Sequence, residues 1–363
     1  MSRAVFFNIP ADDHIQPTLS LVAELKRRGE QITYFATRSY QPAIEQTGAL
    51  FRAYEDLPHD LLSETNPLLL SVRMAEACRQ MLPGLLEQLR AEQPDYLIYD
   101  SRSAWGWYAA QILKLPAVAS MTLLMLNSTI LIRSGKLFPT LQQTLESLPI
   151  ITRYRNVVME LEQTYGIPGP GITDILNNTG ALTISYTSAL FQPYAASLGN
   201  SFRFVGPAID PILPTARADN LPLVVCDALC DALAYQHALT DESWRFAVAD
   251  RAALPGRLPQ AAVFITRGTM NAAQTALYYH VPLVVVPQTI EQSLVGQQIV
   301  NLGAGLQIDE PDPEQLRSAV ERLLTTDDFR RNAATIGDSL RAAGGYRRAA
   351  DEILAFVARY RPA

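Results

Sequence analysis

The stretch Ala4-Val5-Phe6-Phe7-Asn8-Ile9-Pro10-Ala11-Asp12-Asp13-His14-Ile15-Gln16-Pro17-Thr18-Leu19 changes periodicity halfway along. Its first six residues form a short apolar run, the pattern of a strand covered on both faces of a parallel sheet. Beyond it Leu21, Val22 and Leu25 recur at helical spacing until Gly29, and Pro17 reads as a helix-start proline whose missing N–H costs little. Gln31-Ile32-Thr33-Tyr34-Phe35-Ala36 reads as the next strand. Strand, helix, strand is the crossover unit of a parallel sheet. Ligands of such sheets collect at the carboxyl ends of the strands, so His14, in the first connection, is expected to face a cleft.

Working outward, the spacing predicts a helix near Pro83–Glu92, a strand at Tyr96–Tyr99, a helix at Ala104–Leu113 and a strand at Ala117–Ala119. Leu137 to Asn178 is helical and more polar, and Ala181–Ser185 resumes the sheet. Residues 208–221 are proline-rich without periodic apolar positions, which marks a linker. A second α/β series follows with Leu223–Val225, Val263–Ile265, a helix from about Asn271 to Tyr278, and Leu283–Val286. Tyr346–Tyr360 carries Ile353, Leu354 and Val357 on one face of an amphipathic helix. The expected architecture is α/β, with two doubly wound domains: residues 1–206, a linker at 207–221, a reduced second domain at 222–345, and a final helix at 346–363 returning to the first.

A chain of 363 residues, 48% of them hydrophobic, suffices for two such cores. Its formal charge of −6 gives no basic field for nucleic acid or an anionic membrane. Cys78, Cys226 and Cys230 are too few for a disulfide framework, and the opening strand leaves no secretory signal to read, so a cytoplasmic address is expected. The most apolar stretch, Leu115 to Ile132, is broken by Ser120, Thr122, Asn127, Ser128 and Thr129 and reads as buried strand and helix, not as a membrane span. Cys226 and Cys230 are spaced for one helical face, but no CxxC or histidine cluster supports a metal site.

An ordered set of segments resembles the macrolide glycosyltransferase-like proteins, bacterial natural-product UDP-glycosyltransferases with the GT-B fold. It comprises His14–Leu19, Tyr99-Asp100, Phe204–Pro207, Val263–Asn271, Val281–Gln288, Glu291-Gln292 and Gly344–Ala350, and spans almost the whole chain. The resemblance implies that His14 acts as base on an acceptor hydroxyl, that Asp100 orients it, and that the two domains face across a cleft. An imidazole titrates near neutrality, and a carboxylate behind it fixes the tautomer, so the chemistry stands independently of the likeness. Asp13 joins them as a proton-transfer candidate, with Asp12 beside it. Trp105, Trp107, Met121, Met125 and Phe138 are expected to line a bulky apolar substrate pocket.

On the donor side the resemblance implies a diphosphate-binding loop at a helix N-terminus. Here Arg267-Gly268-Thr269-Met270-Asn271-Ala272 occupies it: Gly268 and Asn271 match, while Arg267, Thr269 and Ala272 depart. Asp227 lies where phosphate oxygens are expected, and the span from Val225 to Val263 is short. Glu291 and Gln292 correspond to sugar contacts. These departures give the expectation of a repurposed tailoring enzyme, performing cyclisation, elimination, dehydration or isomerisation on a hydrophobic metabolite without cofactor or sugar donor. The alternatives are an active glycosyltransferase, with a nucleotide-diphosphate sugar as donor and Arg267 on the diphosphate, and a non-catalytic auxiliary of a biosynthetic partner protein. A homodimer is compatible with the final helix.

Overall fold

The computed structural model describes residues 2–125, 141–210, 221–230, 235, 239–240 and 242–360; in the helix Leu141–Tyr165 the side chains are described from 147 onward. Most of the linker, 211–220, lies outside the described residues. The chain forms two units, one of Met1–Tyr186, Tyr194–Val205 and Tyr346–Ala363, the other of Thr187–Pro193 and Gly206–Gly345. Thr187–Pro193, assigned by sequence to the first domain, groups with the second because its hydrogen bonds lead there: Gly206 donates to the Thr187 carbonyl (2.9 Å), and Ser188 Oγ meets Ser339 Oγ (2.8 Å).

In the first unit β1 (Arg3–Phe7), β2 (Gln31–Ala36), β3 (Leu50–Ala53), β4 (Tyr96–Asp100), β5 (Ala117–Met121), β6 (Leu182–Ser185) and β7 (Phe202–Phe204) make a parallel sheet ordered β3-β2-β1-β4-β5-β6-β7. Successive side chains take opposite faces. Phe6, Tyr34, Ile98 and Val118 pack with Leu21, Val22 and Leu25 of α1 (Asp12–Arg27) and with Ile353, Phe356 and Val357 of the helix Gly345–Ala358. Phe7, Phe35, Leu97 and Tyr99 pack against α3 (Pro67–Glu92), α4 (Ala104–Leu113) and Leu141–Tyr165. Arg28 fastens the final helix by pairing with Asp351, and Arg203 Nε reaches Glu352 (2.9 Å).

Two helices start earlier than expected. Helix α1 begins at Asp12, so Pro17 lies inside it and His14 is on its first turn, not in a loop; Asp12 and Asp13 there complement the positive end of the helix. Helix α3 begins at Pro67, with Asn66 Oδ1 accepting from the N–H groups of Leu68 (2.9 Å) and Leu69 (3.3 Å), and passes through Pro83.

The second unit's sheet, also parallel, is ordered β12-β11-β10-β8-β9, with β8 (Leu223–Asp227), β9 (Arg245–Ala249), β10 (Ala261–Thr266), β11 (Leu283–Val285) and β12 (Gly305–Gln307). Strand β9 is absent from the sequence reading; it is an edge strand, and its Val248 is 45% exposed. Cys226 lies in β8 and Cys230 in the turn after it, both buried with Trp244 and Leu316, and not on one helical face. Between the central strands β1 and β4, residues 8–95 hold α1, β2, α2 (Gln41–Gln46), β3 and α3. Between β8 and β10, residues 228–260 hold β9 and the short helices Leu254–Arg257 and Leu258–Gln260 among the described residues. No described helix is long and apolar enough to cross a membrane.

Candidate active site

The first sheet reverses its strand order between β1 and β4, opening a crevice at their carboxyl ends. His14 follows β1, Asp100 ends β4, and Thr122 follows the next strand, β5. His14 Nδ1 is 2.8 Å from Asp100 Oδ2 and 3.1 Å from Thr122 Oγ1. His14 is 3% exposed and Asp100 fully buried. A carboxylate at hydrogen-bond distance assigns the proton to Nδ1, leaving the Nε2 lone pair available as a base. Asp100 Oδ1 accepts the Arg102 N–H (2.8 Å), so each of its oxygens has a donor.

The His14 backbone is fixed as well. Asn8 Nδ2 donates to the His14 carbonyl (3.1 Å) and to Tyr34 Oη (2.7 Å), and Thr18 Oγ1 meets the same phenol at 2.8 Å. Burial holds the Tyr34 phenol well above its usual range, so it stays neutral in this network. Asp12 is turned towards Tyr40, whose hydroxyl donates to its Oδ1 (2.9 Å). Asp13 is half-buried on the same turn.

Of the residues expected to line an apolar pocket, Trp105 and Met121 are core. Trp105 is fully buried core: its indole N–H donates to Tyr54 Oη (3.2 Å), and the two rings meet edge-on at 5.6 Å. Met121 is 1% exposed. An aromatic or methionine at the right place in a sequence does not show which side of its element faces outward, and here α4 turns Trp105 inward. Trp107 is half-buried against the same core, beside Tyr108 (5.0 Å), and Met125 is half-buried. Phe138 lies outside the described residues.

The second sheet reverses order between β8 and β10. Asp227, ending β8, is 3% exposed; its Oδ2 accepts from the Thr266 hydroxyl (3.3 Å) and its Oδ1 from the Leu229 N–H (3.0 Å). Arg267 is half-buried, and its Nε has no hydrogen-bond partner among the described residues. Gly268 has φ +86°, and a Cβ there would lie 2.6 Å from Val285 Cγ1. Thr269 is the extended residue before the helix Met270–Tyr278, whose first turn includes Asn271. Gln292 Oε1 accepts from the N–H groups of Gln288 (2.8 Å) and Thr289 (3.2 Å), capping the helix Ile290–Asn301; Glu291 is half-buried beside it. No group of three or more histidine, cysteine or acidic side chains suited to a metal occurs among the described residues.

Two parallel α/β units are the architecture of the GT-B fold. The glycotransferase of kitacinnamycin superposes with a TM-score of 0.83 at 23% identity, covering 98% of this chain and 99% of that one. CalG4, the calicheamicin glycosyltransferase, superposes with a TM-score of 0.82 at 24% identity, covering 100% of both. Residues 245–348 match the erythromycin biosynthesis protein CIII-like, C-terminal domain family. The uncharacterized UDP-glucosyltransferase YojK of Bacillus subtilis (strain 168) is 28% identical over 398 residues, covering 98% of each chain. Over nearly its whole length the chain is thus similar to UDP-glycosyltransferases, and its fold is that of the macrolide-type GT-B enzymes. These likenesses favour sugar transfer and lend no support to the donor-independent chemistry expected from the altered donor loop.

Proposed function

We propose that this enzyme transfers a sugar from a nucleoside diphosphate donor to a hydroxyl group of a bulky apolar natural product. The carrying observation is the buried His14–Asp100 pair at the first switch point. His14 Nε2 removes the acceptor hydroxyl proton as that oxygen attacks the anomeric carbon. The new carbon–oxygen bond forms as the bond to the diphosphate breaks, and Asp100 stabilises the imidazolium. The names of the relatives support a uridine-type donor and a secondary-metabolite acceptor.

In this reading Arg267 receives the diphosphate, together with the N–H groups at the start of Met270–Tyr278. Its unpartnered Nε and the close-packed Gly268 support the assignment. Asp227 spends its oxygens on the Thr266 hydroxyl and the Leu229 N–H. Thermal denaturation with uridine and thymidine diphosphates tests the donor half directly, since a ligand of the folded state raises the apparent melting temperature by mass action. Saturable stabilisation is expected; its absence at millimolar concentrations of every nucleoside diphosphate sinks the reading.

A further inference from the structure

Three neighbouring strands, β1, β4 and β5, deliver one side chain each to the switch point, and only two of them are needed for a histidine–carboxylate pair. The third is Thr122. Asp100 pairs in register with Ser120, so Val118, Ser120 and, one step beyond β5, Thr122 alternate onto the face that carries Ile98 and Asp100 and is covered by α1. Thr122 is 4% exposed, and its Oγ1 lies 3.1 Å from His14 Nδ1.

Asp100 meets Nδ1 along one direction only, which by itself permits small rotations of the ring about its Cβ–Cγ bond. A second acceptor at the same nitrogen removes this freedom. We propose that Thr122 is a positioning residue for the base: its hydroxyl shares the Nδ1 proton with Asp100, fixes the plane of the ring and so aims Nε2. The kinetic part of this proposal rests on the glycosyl-transfer reading, whereas the ring geometry does not.

The test compares Thr122→Val, which keeps the shape without the hydroxyl, with Thr122→Ser, which keeps the hydroxyl. Nitrogen NMR of histidine-labelled protein follows the His14 Nδ1–H, assigned with His14→Gln. Its exchange with solvent is expected to quicken about tenfold in the valine variant and to stay near wild type in the serine variant. In turnover, the valine variant is expected to lose about five- to tenfold in kcat with little change in KM, and the serine variant to recover most of it. Unchanged exchange in Thr122→Val, or equal damage from both substitutions, overturns the proposal. A wild-type protein that transfers no sugar refutes the proposed function instead, and the exchange measurement then decides Thr122 alone.

Discussion

At the switch point of the first sheet Asp100 gives one oxygen to an imidazole, while at that of the second Asp227 gives one oxygen to the Thr266 hydroxyl of the neighbouring strand and the other to the Leu229 N–H of its own loop. Both aspartates end a central strand and both are buried. The difference lies in the partner: a carboxylate facing an ionisable ring can take part in proton transfer, whereas one satisfied by a hydroxyl and a backbone N–H fastens a loop. The second unit instead presents a guanidinium nitrogen, on Arg267, with no hydrogen-bond partner among the described residues, close in sequence to a helix start. The proposed function therefore gives the first unit the proton and the second the anion, and each assignment can be broken separately.

The largest effect is expected in the first lobe. His14→Ala should lower kcat by about 10³-fold, within the usual range for loss of a general base, with melting temperature and nucleotide binding little changed. Asp100→Asn should come close to it, because an amide can donate to Nδ1 and so place the proton on Nε2, the wrong nitrogen for a base. Stopped-flow or discontinuous turnover assays check both; wild-type rates in either variant would remove the dyad from the chemistry.

Gly268→Ala tests the other lobe. The residue combines φ +86° with a Cβ position 2.6 Å from Val285, so a loss of about 1–3 kcal/mol in denaturant titrations is expected, with weakened nucleotide binding. Arg267→Ala should leave stability near wild type and weaken nucleoside diphosphate binding about tenfold by calorimetry, the scale of a charge-assisted hydrogen bond. Equal binding in wild type and Arg267→Ala would erase the contrast between the lobes.

How much of this is legible in the chain varies by element. The apolar runs give the central strands of both sheets and miss β3, β7 and β12; His14 is expected at the first strand-to-helix connection, and Asp100 comes from the resemblance. Thr122 was equally readable, since it continues the Val118–Ser120 alternation, but a lone threonine in an apolar stretch reads as an interruption. Strand β9, an edge strand, escapes, and the early start of α1 escapes because Pro17 reads as a first-turn residue when it lies within the helix. Trp105 was misplaced since the side of α4 facing the core depends on what packs there. Gln292, which the resemblance places among the sugar contacts, also caps a helix through its side-chain oxygen.

The smallest effect concerns neither site. The hydrogen bond from Arg27, supported by Arg28, holds the Glu24 carboxyl at about 2, below its ordinary 4.5. A depressed carboxylate contributes stability that is present above its unfolded value and lost as pH falls through the folded one. The loss attributable to Glu24 therefore falls between about pH 4.5 and 2. With Arg27 open to water, Glu24→Gln should flatten this acid limb by no more than about 1 kcal/mol, measured by urea titration at each pH.

Product mass gives the sharpest test of the proposed sugar transfer with His14 as base. Purified protein is incubated with a hydroxylated macrolide or polyketide aglycone, with and without UDP-glucose. A product heavier by one hexose, formed only with the donor and lost in His14→Ala, is the expected result. An isobaric or dehydrated product formed without any nucleotide sugar would contradict it.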